Sequence, residues 1–273
     1  MPLILDGSMG GLLSQLGFEW DPKKWMTDVI ESSPQTIVQL HKEYIEAGAD
    51  IITTNTFRTN PAVIGAYQSK LMVKKAVNLA KEAAEGTSVL IAGSNAPAED
   101  CYKMNRNLSK KTLELNHCKH IDLLMDNKVD FILNETQSHF DEIELICKYC
   151  SRNEIPFVMS LYFNDNLELL SGEKVQQVLQ MIREHNPLAI GFNCIQPQIF
   201  THLMREIRLD YNWGFYLNCG SGNLTDREIK CGISPTEYWK IISSYLNKNP
   251  AFIGSCCGSS PEHIKKLKIE LNG

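Results

Sequence analysis

No stretch of this chain approaches the roughly 18–20 consecutive apolar residues that a bilayer-spanning helix needs, so a membrane span is not expected. The opening MPLILDGSMGG lacks the basic n-region, apolar h-region and small-residue cleavage site of a secretory signal. A cytoplasmic protein is expected. Blocks of one charge sign are missing as well: the net charge is −5 and the lysines are scattered. That leaves no electrostatic footprint for nucleic acid or for an acidic membrane. There is no low-complexity tract and no Pro/Gly/Ser linker, so the 273 residues, 43% of them hydrophobic, read as one domain spanning 1–273 around one core. A glycine-rich phosphate loop is also absent. DGSMGG, which follows the first apolar run, does not match G-x-G-x-x-G, and this counts against a doubly wound dinucleotide-binding sheet.

What the chain does have is an alternation. Short apolar or β-branched runs occur at 3–6, 50–55, 88–94, 130–135, 157–163, 188–194, 214–219 and 251–256. Longer segments with helical apolar spacing lie between them, such as PQTIVQLHKEYIEAG and SKLMVKKAVNLAKEAAEG. Continuous apolar runs, as opposed to alternating ones, mark strands buried on both faces, and strand–helix repetition marks a parallel sheet. Eight such units in a chain of this length predict an α/β fold, a closed (β/α)8 TIM barrel. In such barrels the active site gathers at the C-terminal ends of the strands. Those ends carry Asp6, Thr53, Thr54, Asn55, Ser94, Asn95, Glu135, Tyr162, Asn193, Cys194, Asn218, Cys219, Cys256 and Cys257.

Cysteine is the residue in excess: Cys101, Cys118, Cys147, Cys150, Cys194, Cys219, Cys231, Cys256 and Cys257. In a chain of this size without an export signal, metal binding or catalysis is a better reading than a disulfide framework. Cys147 and Cys150 form a C-x-x-C inside the helical pattern DEIELICKYC and read as helix-face residues. Cys194 after the sixth strand, with Cys256 and Cys257 after the eighth, would meet in one barrel mouth. Successive strand residues point to opposite faces, so the adjacent pair needs a turn, which Gly254 and Gly258 permit. Ser260 and Pro261 then read as N-cap and first residue of the closing helix. Three thiolates with an open fourth position suit Zn²⁺ in a catalytic role. The three thiolates give the centre a negative formal charge, so it favours activation of a thiol over generation of hydroxide. Three alternatives stay open: buried space-filling thiols, a strained Cys256–Cys257 disulfide, and a structural zinc site completed by Cys219.

These motifs resemble the homocysteine S-methyltransferase family, which includes betaine-dependent, S-methylmethionine-dependent and cobalamin-dependent branches. The resemblance runs in order along nearly the whole chain: LILDGSMGGLL, YIEAGADIITTNTF, DFILNETQ, GFNC and IGSCCGSSPEHI. It implies Cys194, Cys256 and Cys257 as zinc ligands acting in catalysis, with Asp6 and Glu135 holding the substrate ammonium. It also implies that Gly7 and Thr54 bind the carboxylate end, and that Asn218 matches a position whose oxygen fills the fourth zinc site before substrate arrives. Leu217 and Cys219 depart from the family pattern, in which proline and a small residue are usual. The chain closes soon after its eighth helix, so the C-terminal tetramerisation extension of the betaine enzymes and the folate and cobalamin modules are expected to be missing. The expected reaction is methyl transfer to L-homocysteine from a small sulfonium donor, S-methylmethionine first and S-adenosylmethionine second, giving L-methionine. The rivals are a stand-alone homocysteine module fed by a corrinoid protein, and a non-catalytic zinc-binding barrel.

Overall fold

Runs that are apolar at every position have to be covered on both faces, and the computed structural model, which describes residues 1–221 and 230–273, covers them by closing the sheet on itself. The strands are β1 (Leu3–Ile4), β2 (Ile51–Thr53), β3 (Leu90–Asn95), β4 (Phe131–Gln137), β5 (Phe157–Leu161), β6 (Ala189–Asn193), β7 (Trp213–Leu217) and β8 (Phe252–Ser255). All pair in parallel in the order β1-β8-β7-β6-β5-β4-β3-β2. The ring closes through a parallel bridge between Leu5 and Ile51, with the Asp6 N–H donating to the Ile51 carbonyl at 2.9 Å and the Asp50 N–H to that of Ile4 at 2.7 Å. This is the expected (β/α)8 barrel.

Strand parity splits the core in two. Leu5, Ile51, Ala92, Phe131, Leu133, Val158, Tyr216 and Phe252 fill the barrel interior. Their chain neighbours, among them Ile4, Ile52, Ile132, Met159, Ile190, Phe215 and Ile253, pack outward against the helices. Period-2 side-chain alternation with both faces apolar is what makes each strand read as an unbroken hydrophobic run. The covering helices are Pro34–Glu46, Ala66–Ala84, Lys110–Asp126, Phe140–Arg152, Val175–Arg183, Pro197–Glu206, Pro235–Ser243 and Pro261–Asn272, one after each strand. Cys147 and Cys150 are fully buried on the inner face of Phe140–Arg152, as helix-face residues should be. No helix among the described residues is long and apolar enough to cross a membrane.

The first connection is the long one. After β1 the chain forms the helix Met9–Gln15, whose Ser8 cap accepts the Gly11 N–H at 3.1 Å. It then makes a tight turn at 21–25, where Asp21 Oδ1 accepts the N–H groups of Lys23 (2.8 Å) and Lys24 (2.7 Å). This turn and the segment after β2 form the outer wall of a cavity at the C-terminal mouth of the barrel. Beyond the Leu5–Ile51 bridge the Asp6 side chain takes the place of a ladder carbonyl, accepting the Thr53 N–H at 2.8 Å.

Candidate metal centre and substrate cavity

The sulfur wall is built from backbone. Cys194 follows β6 with φ +56°, a left-handed conformation that a non-glycine residue rarely adopts. Its N–H donates to the Tyr216 carbonyl at 3.1 Å. Across from it, the Cys256 N–H donates to Leu217 O at 2.9 Å and Ser259 N–H returns to Cys256 O at 3.1 Å. The turn between falls on Gly258, φ +78°, where a Cβ would run into the backbone of Gly220. Gly254, in contrast, stays inside β8. Pro261 then opens the closing helix behind Ser260, whose N–H donates to His263 Nδ1 at 3.2 Å.

The sulfurs of Cys194, Cys256 and Cys257 lie within 4.8 Å of one another. Cys194 and Cys256 are joined as a disulfide with Cα atoms 5.5 Å apart, and Cys257 Sγ stands 3.3 Å from Cys194 Sγ. The pairing is therefore across the mouth and not within the vicinal pair. Two-electron reduction would leave three thiols at one point, so the disulfide and a metal are alternative uses of the same atoms. Burial pushes the Cys257 thiol up to about 11, opposed by a hydrogen bond from the Tyr102 hydroxyl. Cys219 is buried outside this group, its Sγ 3.7 Å from the Leu217 carbonyl. Asn218 is buried too; its Oδ1 accepts the Gly220 N–H at 2.7 Å, and it is not part of the cavity wall.

The opposite wall is built from side chains. Asp6 is buried, and Thr53 Oγ1 lies 3.1 Å from each of its oxygens, in addition to the N–H bond already described. Glu135 takes a hydrogen bond from Ser94 Oγ on one oxygen and from the Tyr216 hydroxyl at 3.4 Å on the other. Burial pushes Asp6 well above the usual carboxylate range, with the Glu135 charge adding to the rise against the Thr53 donors. Burial likewise pushes Glu135 up to about 7, opposed by the Ser94 and Tyr216 hydroxyls. Two carboxyls that resist ionising side by side are prepared for a cationic ligand.

Glu135 owes its direction to a bulge. The β4–β5 register shifts between Asn134 and Gln137, and Thr136 has φ +57°. For a β-branched residue that conformation costs on the order of 1–3 kcal/mol. Asn193 holds it: its Oδ1 accepts the Thr136 N–H at 2.9 Å and its Nδ2 donates to Thr136 Oγ1 at 2.8 Å. Ser160 Oγ donates to the same Oδ1 at 2.7 Å. Since Asn193 directly precedes Cys194, one side chain ties the carboxylate wall to the sulfur wall.

Between the walls lies a cavity of about 190 Å³ that includes Asp6, Gly7, Thr54, Glu135 and all three cysteines in its lining. Gly7 is required by crowding, because a Cβ there would sit 2.6 Å from Ser259 Oγ and 2.8 Å from the Tyr44 hydroxyl. The Gly7 N–H has no partner among the described residues. Thr54 is less free than its sequence implies. Its Oγ1 accepts the Ser94 N–H at 3.1 Å and lies 2.7 Å from Thr56 Oγ1, which itself donates to Ser94 O at 2.7 Å. The Thr54 proton is thereby committed to Thr56, and the hydroxyl can offer a ligand only an acceptor. Sequence reasoning passed over Tyr216, Tyr102 and the aromatic outer wall of Trp20, Trp25 and Phe57. Tyr216 sits one residue inside a strand end, at the parity that faces the interior, and that parity was the available signal.

The homocysteine S-methyltransferase family model matches residues 3–271. The homocysteine S-methyltransferase of Escherichia coli K12 is 26% identical, the match covering 97% of this chain and 94% of that protein. Homocysteine S-methyltransferase 2 of Zea mays is 25% identical, with 99% and 90% covered. Among solved structures, the metallated form of the homocysteine methyltransferase MmuM from Escherichia coli matches with a TM-score of 0.82 at 25% identity, covering 98% of this chain and 96% of that one.

Proposed function

Because the chain belongs to the homocysteine S-methyltransferase family, and is an enzyme of the methyltransferase class, we propose that it moves a methyl group from a small sulfonium donor to the sulfur of L-homocysteine, with Zn²⁺ as cofactor. The observation that carries this reading is the convergence of three cysteine sulfurs within 4.8 Å on the same cavity that holds Asp6 and Glu135. The donor set fits zinc: in the reduced state it offers three soft, anionic ligands from two loops braced by strand and helix. When bound by Cys194, Cys256 and Cys257, zinc would act as the Lewis acid that keeps the acceptor sulfur deprotonated at neutral pH.

The protein's own groups supply orientation. Asp6 and Glu135 take the homocysteine ammonium, with the Thr54 hydroxyl as a further acceptor, and the open Gly7 N–H takes one carboxylate oxygen. Ser94 and Tyr216 hold Glu135 in place, and Asn193 holds the bulge that aims it. In the reaction a bond forms between the acceptor sulfur and the methyl carbon as the sulfonium carbon–sulfur bond breaks. The electron pair leaves with a neutral thioether and the thiol proton passes to solvent. A neutral leaving group needs no proton, so positioning and a deprotonated acceptor supply most of the rate. S-Methylmethionine is the first donor to test and S-adenosylmethionine the second.

The test is a donor panel on reduced, zinc-loaded protein with homocysteine, reading methionine by mass. S-Methylmethionine is expected to give methionine. Product only from a methylcorrinoid protein would replace the sulfonium donor with that partner. Metal binding without any effect of homocysteine on the metal's coordination would leave a non-catalytic zinc barrel.

A further inference from the structure

Arg58 is the buried cation that this reading leaves unused. It follows β2 by five residues, is 6% exposed and lines the cavity. Its Nε donates to Lys23 O at 3.2 Å, and its Nη1 to Glu99 O at 2.8 Å and to Pro97 O at 3.4 Å. Those carbonyls belong to the loops after β1 and β3, so the guanidinium is fixed in position from both sides. The Trp25 indole packs on it, 5.6 Å from ring centroid to Cζ, and stacks in turn on Phe57 at 4.9 Å. Trp25 is held there at φ +52°, a strained conformation for a bulky residue.

What Arg58 lacks is a direct ion pair: Asp100, Glu142 and Glu99 are near enough to favour its charge, but none contacts it. Among the described residues no carboxylate pairs with it, and Nη2 has no hydrogen-bond partner. Arg106, by comparison, is paired with both Asp141 and Glu142. A guanidinium does not deprotonate to relieve its burial, and carbonyl dipoles satisfy its N–H groups without neutralising its charge. A fixed, desolvated cation with one open edge on a ligand cavity is suited to an anion, and a planar fork is suited to a carboxylate.

We infer that Arg58 is the residue that receives the carboxylate of the methyl donor. This rests on the proposed methyl transfer from a sulfonium donor. The acceptor's ends are already matched by groups on the strand ends, Asp6, Glu135 and Gly7, whereas Arg58 lies farther out, tied to the loops of the outer wall. An arginine on that wall repels the homocysteine ammonium and draws the donor carboxylate, which orders the two substrates with their charged ends apart and their sulfur-bearing ends facing each other.

The experiment compares S-methylmethionine with its carboxamide on wild-type zinc-loaded protein, and then wild type with Arg58→Gln and Arg58→Lys. Donor KM is followed kinetically, and binding of homocysteine and of each donor by calorimetry. Blocking the carboxylate, or Arg58→Gln, is expected to raise donor KM by about 10- to 100-fold, the range for losing a charge-assisted hydrogen bond. The homocysteine Kd should move less than about twofold. Arg58→Lys, which keeps the charge and loses the fork, should fall between. Should Arg58→Gln not fold, the carboxamide arm still decides, since it leaves the protein unchanged. Equal KM for acid and amide overturns the inference, as does a shift confined to homocysteine. If wild type makes no methionine from any sulfonium, the proposed function fails; tighter binding of the acid than of the amide would then retain the receptor, and equal or absent binding would sink it.

Discussion

The two walls of the cavity are held by different physics. On the sulfur side, main-chain bonds and two left-handed residues, Cys194 and Gly258, place three thiols that make few hydrogen bonds of their own. On the carboxylate side almost everything is side-chain bonding: Thr53 on Asp6, Ser94 and Tyr216 on Glu135, Asn193 on Thr136. The difference follows from the groups being placed. A thiol buries like a small hydrophobe and needs no donor, while a buried carboxyl is costly unless donors reach it. A sulfur site can therefore be encoded in a short local string, and a carboxylate site draws on several strands at once.

The sharpest way to break the comparison is at the sulfurs. Cys257→Ala is expected to abolish zinc retention and to lower turnover by at least about a thousandfold, since the metal's Lewis-acid function is lost with it. The fold should persist, because little besides the metal depends on that thiol. Metal content by mass spectrometry, circular dichroism and turnover check the three parts. Full activity in the variant would remove the metal centre from the account.

The carboxylate wall should add a pH step of its own to that of the thiols. Burial raises Glu135 to about 7, so below that pH it is protonated and cannot pair with an ammonium. Homocysteine affinity is expected to gain a step through about pH 7 as Glu135 ionises, on top of the steady rise from thiol deprotonation that continues toward the free thiol pKa of ~8.5. Glu135→Gln should weaken binding by about 10- to 100-fold at pH 8 and erase this step, because the charge is gone at every pH. Calorimetric titrations from pH 6 to 8 read both effects. A wild-type affinity without that step would mean that Glu135 does not hold the ammonium.

The same contrast explains how much could be read in advance. All eight strands and their helices were visible, because a barrel strand buried on both faces leaves a continuous apolar signal. The sulfur trio was visible because paired cysteines between glycines are locally unusual. Asp6 and Glu135 stood out by ending such runs. Their supports did not. Tyr216 looks like one more strand aromatic until the barrel closes, and Arg58 in TNTFRTN looks like an ordinary loop cation until its burial is known. The strain at Thr136 and Cys194 leaves no compositional trace at all, since neither residue is a glycine.

Asn193 is where the two walls meet, and it offers the finest test of whether they are separable. Asn193→Ala removes the two bonds that hold Thr136 and the one from Ser160. A loss of about 2 kcal/mol in stability is expected from three buried hydrogen bonds offset by release of backbone strain. In a chain of this size that lowers Tm by about 4–8 °C. If the destabilisation comes from leaving Thr136 unsupported in a left-handed conformation, Thr136→Gly should recover part of it, because glycine accepts that conformation without strain. Homocysteine binding should weaken with Asn193→Ala, since the bulge aims Glu135, while zinc content stays near that of wild type, since Cys194 is placed by its own backbone bond to Tyr216. Zinc and homocysteine affinity falling together would show that the side chain supports both walls, and the division between a main-chain wall and a side-chain wall would have to be given up.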